Sequence, residues 1–317
     1  MNNTKRLTEG ALMTGIYLLL LLVIIFMPGI VGSLLLLVLP VPFVLYSYRH
    51  GWKSGLLMFI SATVFTILFA NIVALPFTLL AGVGGIALGG TLNEKRSPYE
   101  TLAIGSIGFI FSLLSTYLLI QMVMGVNLAD EVMKAFDQSF AMSEGIFSML
   151  GQADQMEARI EELREFVAFL PDLIPSILVM TGVIFAFVSQ WLSYKLINRI
   201  ENKSFSFTKF NQFRLPTSIL WYYLLSMILN MAAGDGQGLL YLAAINVMIV
   251  TGTLLVIQGF SFVFYYASVK NWSKAIPILV VVFSLLLPGI LLYLVRILGI
   301  IDTGFPLRDR IAQKKES

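Results

Sequence analysis

The stretch ALMTGIYLLLLLVIIFM, residues Ala11–Met27, contains no charged side chain and no proline. A helical membrane crossing needs about 20 predominantly apolar residues, and this run comes close to supplying them. Two readings compete. Lys5 and Arg6 precede the run, as basic residues precede the apolar core of a secretory signal. Yet the small-residue pattern of a cleavage site is poor, and a second apolar run begins directly after Pro28-Gly29. The stretch therefore reads as a first membrane span.

Outward from it the pattern repeats. Ile30–Tyr48 is a second span, which Pro40 and Pro42 should kink. Ser54–Asn71, Ile72–Leu92, Thr101–Met124 and Leu173–Ile197 follow as spans three to six, and Leu215–Met231 as a seventh. Gly238–Val269 is apolar throughout. At about 1.5 Å per residue it is about 48 Å long, against a hydrocarbon core of about 30 Å. It must tilt, protrude or break, with Thr251-Gly252-Thr253 the expected break. Ala275–Leu298 closes the series, with Pro288-Gly289 midway. The expected fold is an all-α polytopic membrane protein of about nine transmembrane helices (eight to ten).

Composition agrees. The chain is 58% hydrophobic and 12% charged, with a mean hydropathy of +0.86; soluble domains carry about 25% charged residues. There is no cysteine and a single histidine, His50. Disulfides, thiolate sites and multi-histidine metal centres are thereby excluded, and no metal or cofactor is expected.

One long region breaks the membrane pattern. Residues 127–172 carry ten acidic residues against Lys134, Arg159 and Arg164, a charge of −7, which leaves +10 on the rest of a chain whose total is +3. Val132, Phe136 and Phe140 recur at helical spacing, and Met156, Ile160, Leu163, Val167 and Leu170 form a second stripe. Asp154 and Glu157 have the spacing of a capping box opening that second helix. The insert reads as an amphipathic helical pair on the membrane surface, as a lid over a site between the spans, or as a docking surface.

Loop charges orient the chain. Lys5 and Arg6, Arg49 and Lys53, Lys95 and Arg96, and the run Lys195 to Arg214 share one side; the tight turns and the acidic insert take the other. Lys and Arg concentrate on the cytoplasmic side, which predicts a membrane protein with a cytoplasmic N-terminus, an external insert at 127–172 and a basic cytoplasmic loop at 201–214. The tail 301–317 carries Arg308, Arg310, Lys314 and Lys315 and favours the inside, which requires one re-entrant or doubled segment.

Within the spans no mid-membrane carboxylate, lysine or arginine is read, which argues against an ion-coupled pump. The polar residues that remain are amides. Asn71, Gln121, Asn230, Asn246 and Gln258 are candidate ligand contacts, with interhelical hydrogen bonding as their plainer role; Gln190 lies toward the inner end of span six. Ala81, Gly85 and Gly89 recur every four residues and form a face for close helix packing, and Ala11 and Gly15 form a shorter one. His50 is expected to face lipid headgroups. The basic-aromatic stretch Ser204–Arg214 is expected on an anionic membrane surface rather than on nucleic acid. No nucleotide-binding loop, zinc-protease motif or serine-hydrolase motif occurs, so no catalytic residue is assigned.

Leu7-Thr-Glu-Gly-Ala-Leu12, Leu39-Pro-Val-Pro42, Tyr48-Arg-His-Gly-Trp-Lys-Ser-Gly55 and Leu298-Gly-Ile-Ile-Asp302 leading to Arg308 together resemble the YybS family of bacterial integral membrane proteins. That resemblance implies a membrane location and no particular activity. The first six spans also resemble the substrate-binding subunits of energy-coupling-factor vitamin transporters. It implies a six-span core over residues 1–200, both its ends inside, an outward pocket, and a small-residue face on the first helix that docks a membrane coupling protein. Ala11 and Gly15 would be that face, with glycine where the family has alanine. The longer insert and the additional helices over 215–300 depart from the pattern. Two functions are therefore carried forward: binding or transport of a small molecule, and a scaffold or regulatory role toward envelope or signalling proteins through the insert. Membrane lipids are partners on either reading.

Overall fold

The computed structural model describes residues 3–27, 29–123, 125–149, 163–234, 238–305, 307–308 and 311. Among the described residues there are helices and no strands. Seven of those helices are long and apolar enough to cross a membrane, and Ser218–Ala232 and Ala275–Leu286 are shorter apolar helices. The chain divides into two units, Met1–Phe207 and Thr208–Ser317.

Unit 1 comprises α1 (Asn3–Phe26), α2 (Ile30–Leu36), α3 (Val41–His50), α4 (Trp52–Ala70), α5 (Leu75–Asn93), α6 (Pro98–Val123), α7 (Leu128–Met149) and α8 (Ile174–Glu201). The second span is broken rather than kinked. Tight turns carry the chain from Leu37 to Pro40, and α3 restarts with Pro42 in its first turn, where a missing N–H costs nothing. α5 lies at the centre, against α3, α4 and α6. Its small face makes this possible. A Cβ on Gly85 would stand 2.8 Å from the Pro40 carbonyl oxygen, and one on Gly89 would run into the Val44 carbonyl, so α3 can lie against α5 only if both stay glycine. Ala81, one turn earlier, is fully buried. Tyr17 of α1 is fully buried too; its hydroxyl is 2.7 Å from the Thr78 hydroxyl, which donates to Thr66. This chain of hydroxyls satisfies α1, α5 and α4 together in an apolar core.

In the insert, α7 carries the first stripe, with Phe136 and Phe140 stacked at 6.0 Å. Val132 lines an apolar cavity of about 290 Å³ with Tyr117, Leu170, Pro171 and Ile174. The Asp154–Glu157 box, Met156 and Ile160 lie outside the described residues.

Unit 2 comprises α9 (Ser218–Ala232), α10 (Leu239–Val269), α11 (Ala275–Leu286) and α12 (Pro288–Gly304). α10 runs straight through the expected break. The hydroxyls of Thr251 and Thr253 donate to Val247 and Ile249 one turn back, so neither opens the helix. The interruption falls instead at Leu287, with φ −123° and ψ 65°, just before Pro288. It reverses the chain. The Arg296 guanidinium lies against Gly252, Gly299 against the Leu255 carbonyl, and Gln258 against Asp302. Residue numbers rise together along α10 and α12, so the two helices are parallel. α11 starts beside the C-terminal end of α10, where Pro277 and Ile278 share a cavity with Phe264 and Ser268. It must therefore climb back before α12 descends. The stretch expected to cross once, Ala275–Leu298, is thus two helices of a hairpin, and the Lys270–Lys274 turn and the end of α12 lie at the same end of the unit.

Candidate functional site

Four helix ends of unit 1 meet at one pole. α1 brings Lys5 and Glu9, α3 ends in Tyr48, Arg49 and His50, α5 ends in Asn93, and α8 ends in Glu201. Arg49 joins them. Its Nε donates to Glu201 Oε1 at 2.7 Å, and its terminal nitrogen pairs with Glu9. Tyr48 donates its hydroxyl to the other oxygen of Glu201 at 3.2 Å. His50 Nε2 lies 2.7 Å from the second oxygen of Glu9, and its side chain is 2% exposed. His50 does not face lipid headgroups, as its basic-aromatic context suggested. Its ring packs on Tyr46 at 4.9 Å and is turned toward α1. The cause is a long-range one: Glu9, on another helix, offers one carboxylate to both Arg49 and His50.

Around this network opens a cleft of about 1040 Å³, lined among others by Lys5, Lys95, Arg96 and Lys203 as well as Arg49, Glu9 and Glu201. Five bases face two carboxylates, both held by Arg49; Arg96 pairs with Glu94 at 2.8 Å, which leaves Lys5, Lys95 and Lys203 as the excess. Leu12, Leu92, Ile200 and Phe205 supply apolar wall. Phe205 is clamped there by Asn198, whose amide donates to the Phe205 carbonyl and accepts from its N–H, both at 2.8 Å. Phe205 and Phe207 stack on Tyr194 at 5.3 Å, so these two aromatics turn into the protein rather than onto a membrane surface. The cleft can take a ligand with an anionic end and an apolar body.

The other candidates lie elsewhere, and none lines this cleft. Asn71 sits at φ 73° in the turn after α4 and accepts from the Ile72 N–H. Gln121 is exposed near the end of α6, and Asn230 is half-buried on α9. Asn246 is buried on α10 and donates to the Leu242 carbonyl at 2.8 Å. Gln190 is fully buried and donates to the Pro98 carbonyl and the Tyr194 hydroxyl. Ala11 and Gly15 line an open groove of about 460 Å³ with Tyr46, Met58 and Phe65, and nothing stands within 4 Å of a Cβ built on Gly15.

Gln258 belongs to a buried network in unit 2. It donates to Asp302 and accepts from the Leu215 N–H at 2.9 Å. Arg308 grips Asp302 from the other side, Nε to Oδ1 at 2.9 Å and a terminal nitrogen to Oδ2 at 2.6 Å. It also donates to the Asn211 carbonyl at 2.8 Å and to Ser261 at 3.2 Å. Arg308, read from sequence as one of the basic residues of the tail, is buried in the fold. Arg296, not singled out from the sequence, lies midway along α12. Its only sequence signal is a single base in the apolar run Leu292–Ile300.

Long apolar helices with their polar groups gathered at helix ends define an integral, multi-pass membrane protein. Residues 15–303 match the family described as "Predicted membrane protein (DUF2232)", and the chain belongs to it. It is similar to "Uncharacterized protein YybS" of Bacillus subtilis (strain 168), 28% identical over 311 residues, covering 98% of this chain and 100% of that one. No solved structure matches, so the likeness to energy-coupling-factor subunits rests on the sequence pattern.

Proposed function

We propose that this protein is a binding or transport-type protein of the bacterial cell membrane whose unit 1 receives an anionic amphiphile at its basic pole. The observation that carries the reading is the cleft of about 1040 Å³ with Lys5, Lys95, Arg96 and Lys203 on its wall. Ligand cavities commonly run to about 300–1,000 Å³, and an excess of fixed positive charge beside apolar wall suits a phosphate or carboxylate on an alkyl body. The pole that holds the cleft is the one opposite the insert, since the insert joins α6 to α8 at their other ends. The lysines and arginines there support a cytoplasmic position for that pole and for the N-terminus, with 127–172 outside. The same rule supports an inside position for the end of α12, which shares its end of unit 2 with Lys270 and Lys274.

The test is lipid binding by the full chain in nanodiscs. Phosphatidylglycerol should be retained over phosphatidylcholine in native mass spectrometry, and K95Q/R96Q/K203Q should abolish the preference. Equal retention of both lipids by the unaltered protein refutes the reading. A second reading has its own observation, the uncovered groove at Ala11 and Gly15. It fits a helix of a membrane coupling protein or another envelope protein. Loss of a co-purifying membrane subunit from Gly15→Leu, with the fold intact, would favour it.

A further inference from the structure

Unit 2 contains an arginine that its ion pair does not use. Arg296 lies on α12 with apolar residues on both sides in sequence. Helical side chains lean toward the helix N-terminus, and the guanidinium accordingly reaches back to Gly252 of α10, whose missing Cβ leaves it room: a Cβ there would stand 3.4 Å from Arg296 Cζ. Gly252 is about 20 Å along the axis from the start of α10 and about 26 Å from its end. With a hydrocarbon core of about 30 Å, the charge is held near mid-depth, and its direction carries it away from the nearer polar end of its own helix.

Its hydrogen-bonding capacity is largely unspent. A guanidinium offers five N–H donors and stays charged. One terminal nitrogen reaches the Tyr223 hydroxyl at 3.4 Å, the Tyr223 ring centroid lies 6.0 Å from Cζ, and Nε is buried without a hydrogen-bond partner. Nor does a counter-charge stand beside it among the described residues. Asp302 is the carboxylate that unit 2 offers there, and Arg308 matches it. A charge in hydrocarbon without a partner costs about 2.5–3.5 kcal/mol even on the lenient insertion scales, so the site is built for a negative group that the chain does not itself supply.

We propose that Arg296, with Tyr223 beside it and Gly252 behind it, anchors an oxyanion site within the membrane-spanning part of unit 2. The ligand is a small organic anion that presents a carboxylate or phosphate ester to the guanidinium. The site is separate from the cleft of unit 1 and does not depend on it.

The test uses the full chain in phosphatidylcholine nanodiscs, with inorganic phosphate and octanoate as probes against chloride at matched ionic strength. At least one probe should raise the unfolding temperature of the unaltered protein. R296Q should lose that shift and bind the probe about tenfold more weakly or worse. R296K, which keeps the charge and loses the planar fork, should fall between. K95Q/R96Q/K203Q should keep the shift. The proposal is overturned if neither probe shifts the unaltered protein, if R296Q binds as tightly, or if only the cleft variant loses binding. Should R296Q not fold, R296K decides, because a merely structural charge leaves probe affinity unchanged.

Discussion

Replacing Arg308 with methionine should be among the most damaging single changes in unit 2. The side chains of Asp302 and Arg308 are 1% and 3% exposed, and three nitrogen–oxygen contacts between 2.6 and 3.1 Å join them. Removing the guanidinium leaves the carboxylate buried with the Gln258 amide as its remaining partner. An uncompensated buried charge of this kind costs about 3–5 kcal/mol. The same change takes a donor from the Asn211 carbonyl and from Ser261, and so unties the 208–215 segment from the tail, while Ser261 and Gln258 still hold it to α10. D302N should cost less, since Arg308 keeps those two acceptors. D302L/R308M, which removes both charges, should return to within about 1 kcal/mol of the unaltered protein, because the pair's mutual attraction mainly offsets its own desolvation. The assay is reversible denaturant unfolding in mixed micelles, followed by fluorescence of Trp221 and Trp272, the two tryptophans of unit 2. The reasoning fails if R308M unfolds within about 1 kcal/mol of the unaltered protein, the range of a surface pair. It fails equally if the double variant is as unstable as the two single changes added together.

Three further outcomes follow from the packing and the ion network. A Cβ on Gly259 or Gly299 would run into the Val295 or Leu255 carbonyl, so G259A and G299A should each lose about 1–3 kcal/mol in thermal unfolding, whereas G15A, with open space around it, should stay within about 0.5 kcal/mol. E9Q should cost about 1.5–3 kcal/mol by weakening charged hydrogen bonds to Arg49 and His50; because His50 is the single histidine, its faster carbethoxylation by diethyl pyrocarbonate reads the opening directly, and an unchanged rate counts against the network. The chain has no cysteine, so S273C and S317C should both react with a membrane-impermeant maleimide only from the cytoplasmic face and N127C only from outside; labelling of S273C and S317C from opposite faces would break the hairpin topology.

The sequence was most informative where one physical requirement dominates. A bilayer demands apolar length, and the described boundaries of α4, α5 and α8 fall close to the apolar runs, as does the end of α1, which begins eight residues earlier than its run. Proline at 40 and 42 announced an interruption, though not that the chain would make tight turns and restart. The basic pole was legible as charge and illegible as structure. Arg49 finds Glu201 across 152 positions and Glu9 across 40, and no local pattern signals that three distant helix ends share one network. His50 was misjudged for the same reason: a histidine between an arginine and a tryptophan has the local look of an interfacial residue, and only the arrival of α1 buries it. The amides were a poor guide to a site because a nearby backbone or side-chain group engages each of Asn71, Asn246 and Gln258, and takes up the NH2 of Gln190.

The depth of Arg296 shows how one backbone break changes the meaning of a residue. In an uninterrupted crossing from Ala275 to Leu298, Arg296 stands at the end of the span, where a long basic side chain reaches the headgroups at little cost. The break at Leu287 turns the chain back, so that α12 descends beside α10 and position 296 falls midway along it. Because side chains lean toward the helix N-terminus, the guanidinium then points deeper rather than outward. Arg308, past the end of the same helix, meets Asp302 and is neutralised. One arginine lies on α12 and the other just past its end, with Asp302 between them in sequence, and the parallel packing of α10 and α12 decides which is paired. That packing requires Gly259 and Gly299 where the two backbones meet. A substitution that pushes these helices apart should therefore disturb both the Asp302–Arg308 pair and the seat of Arg296 against Gly252, although neither glycine touches an ion.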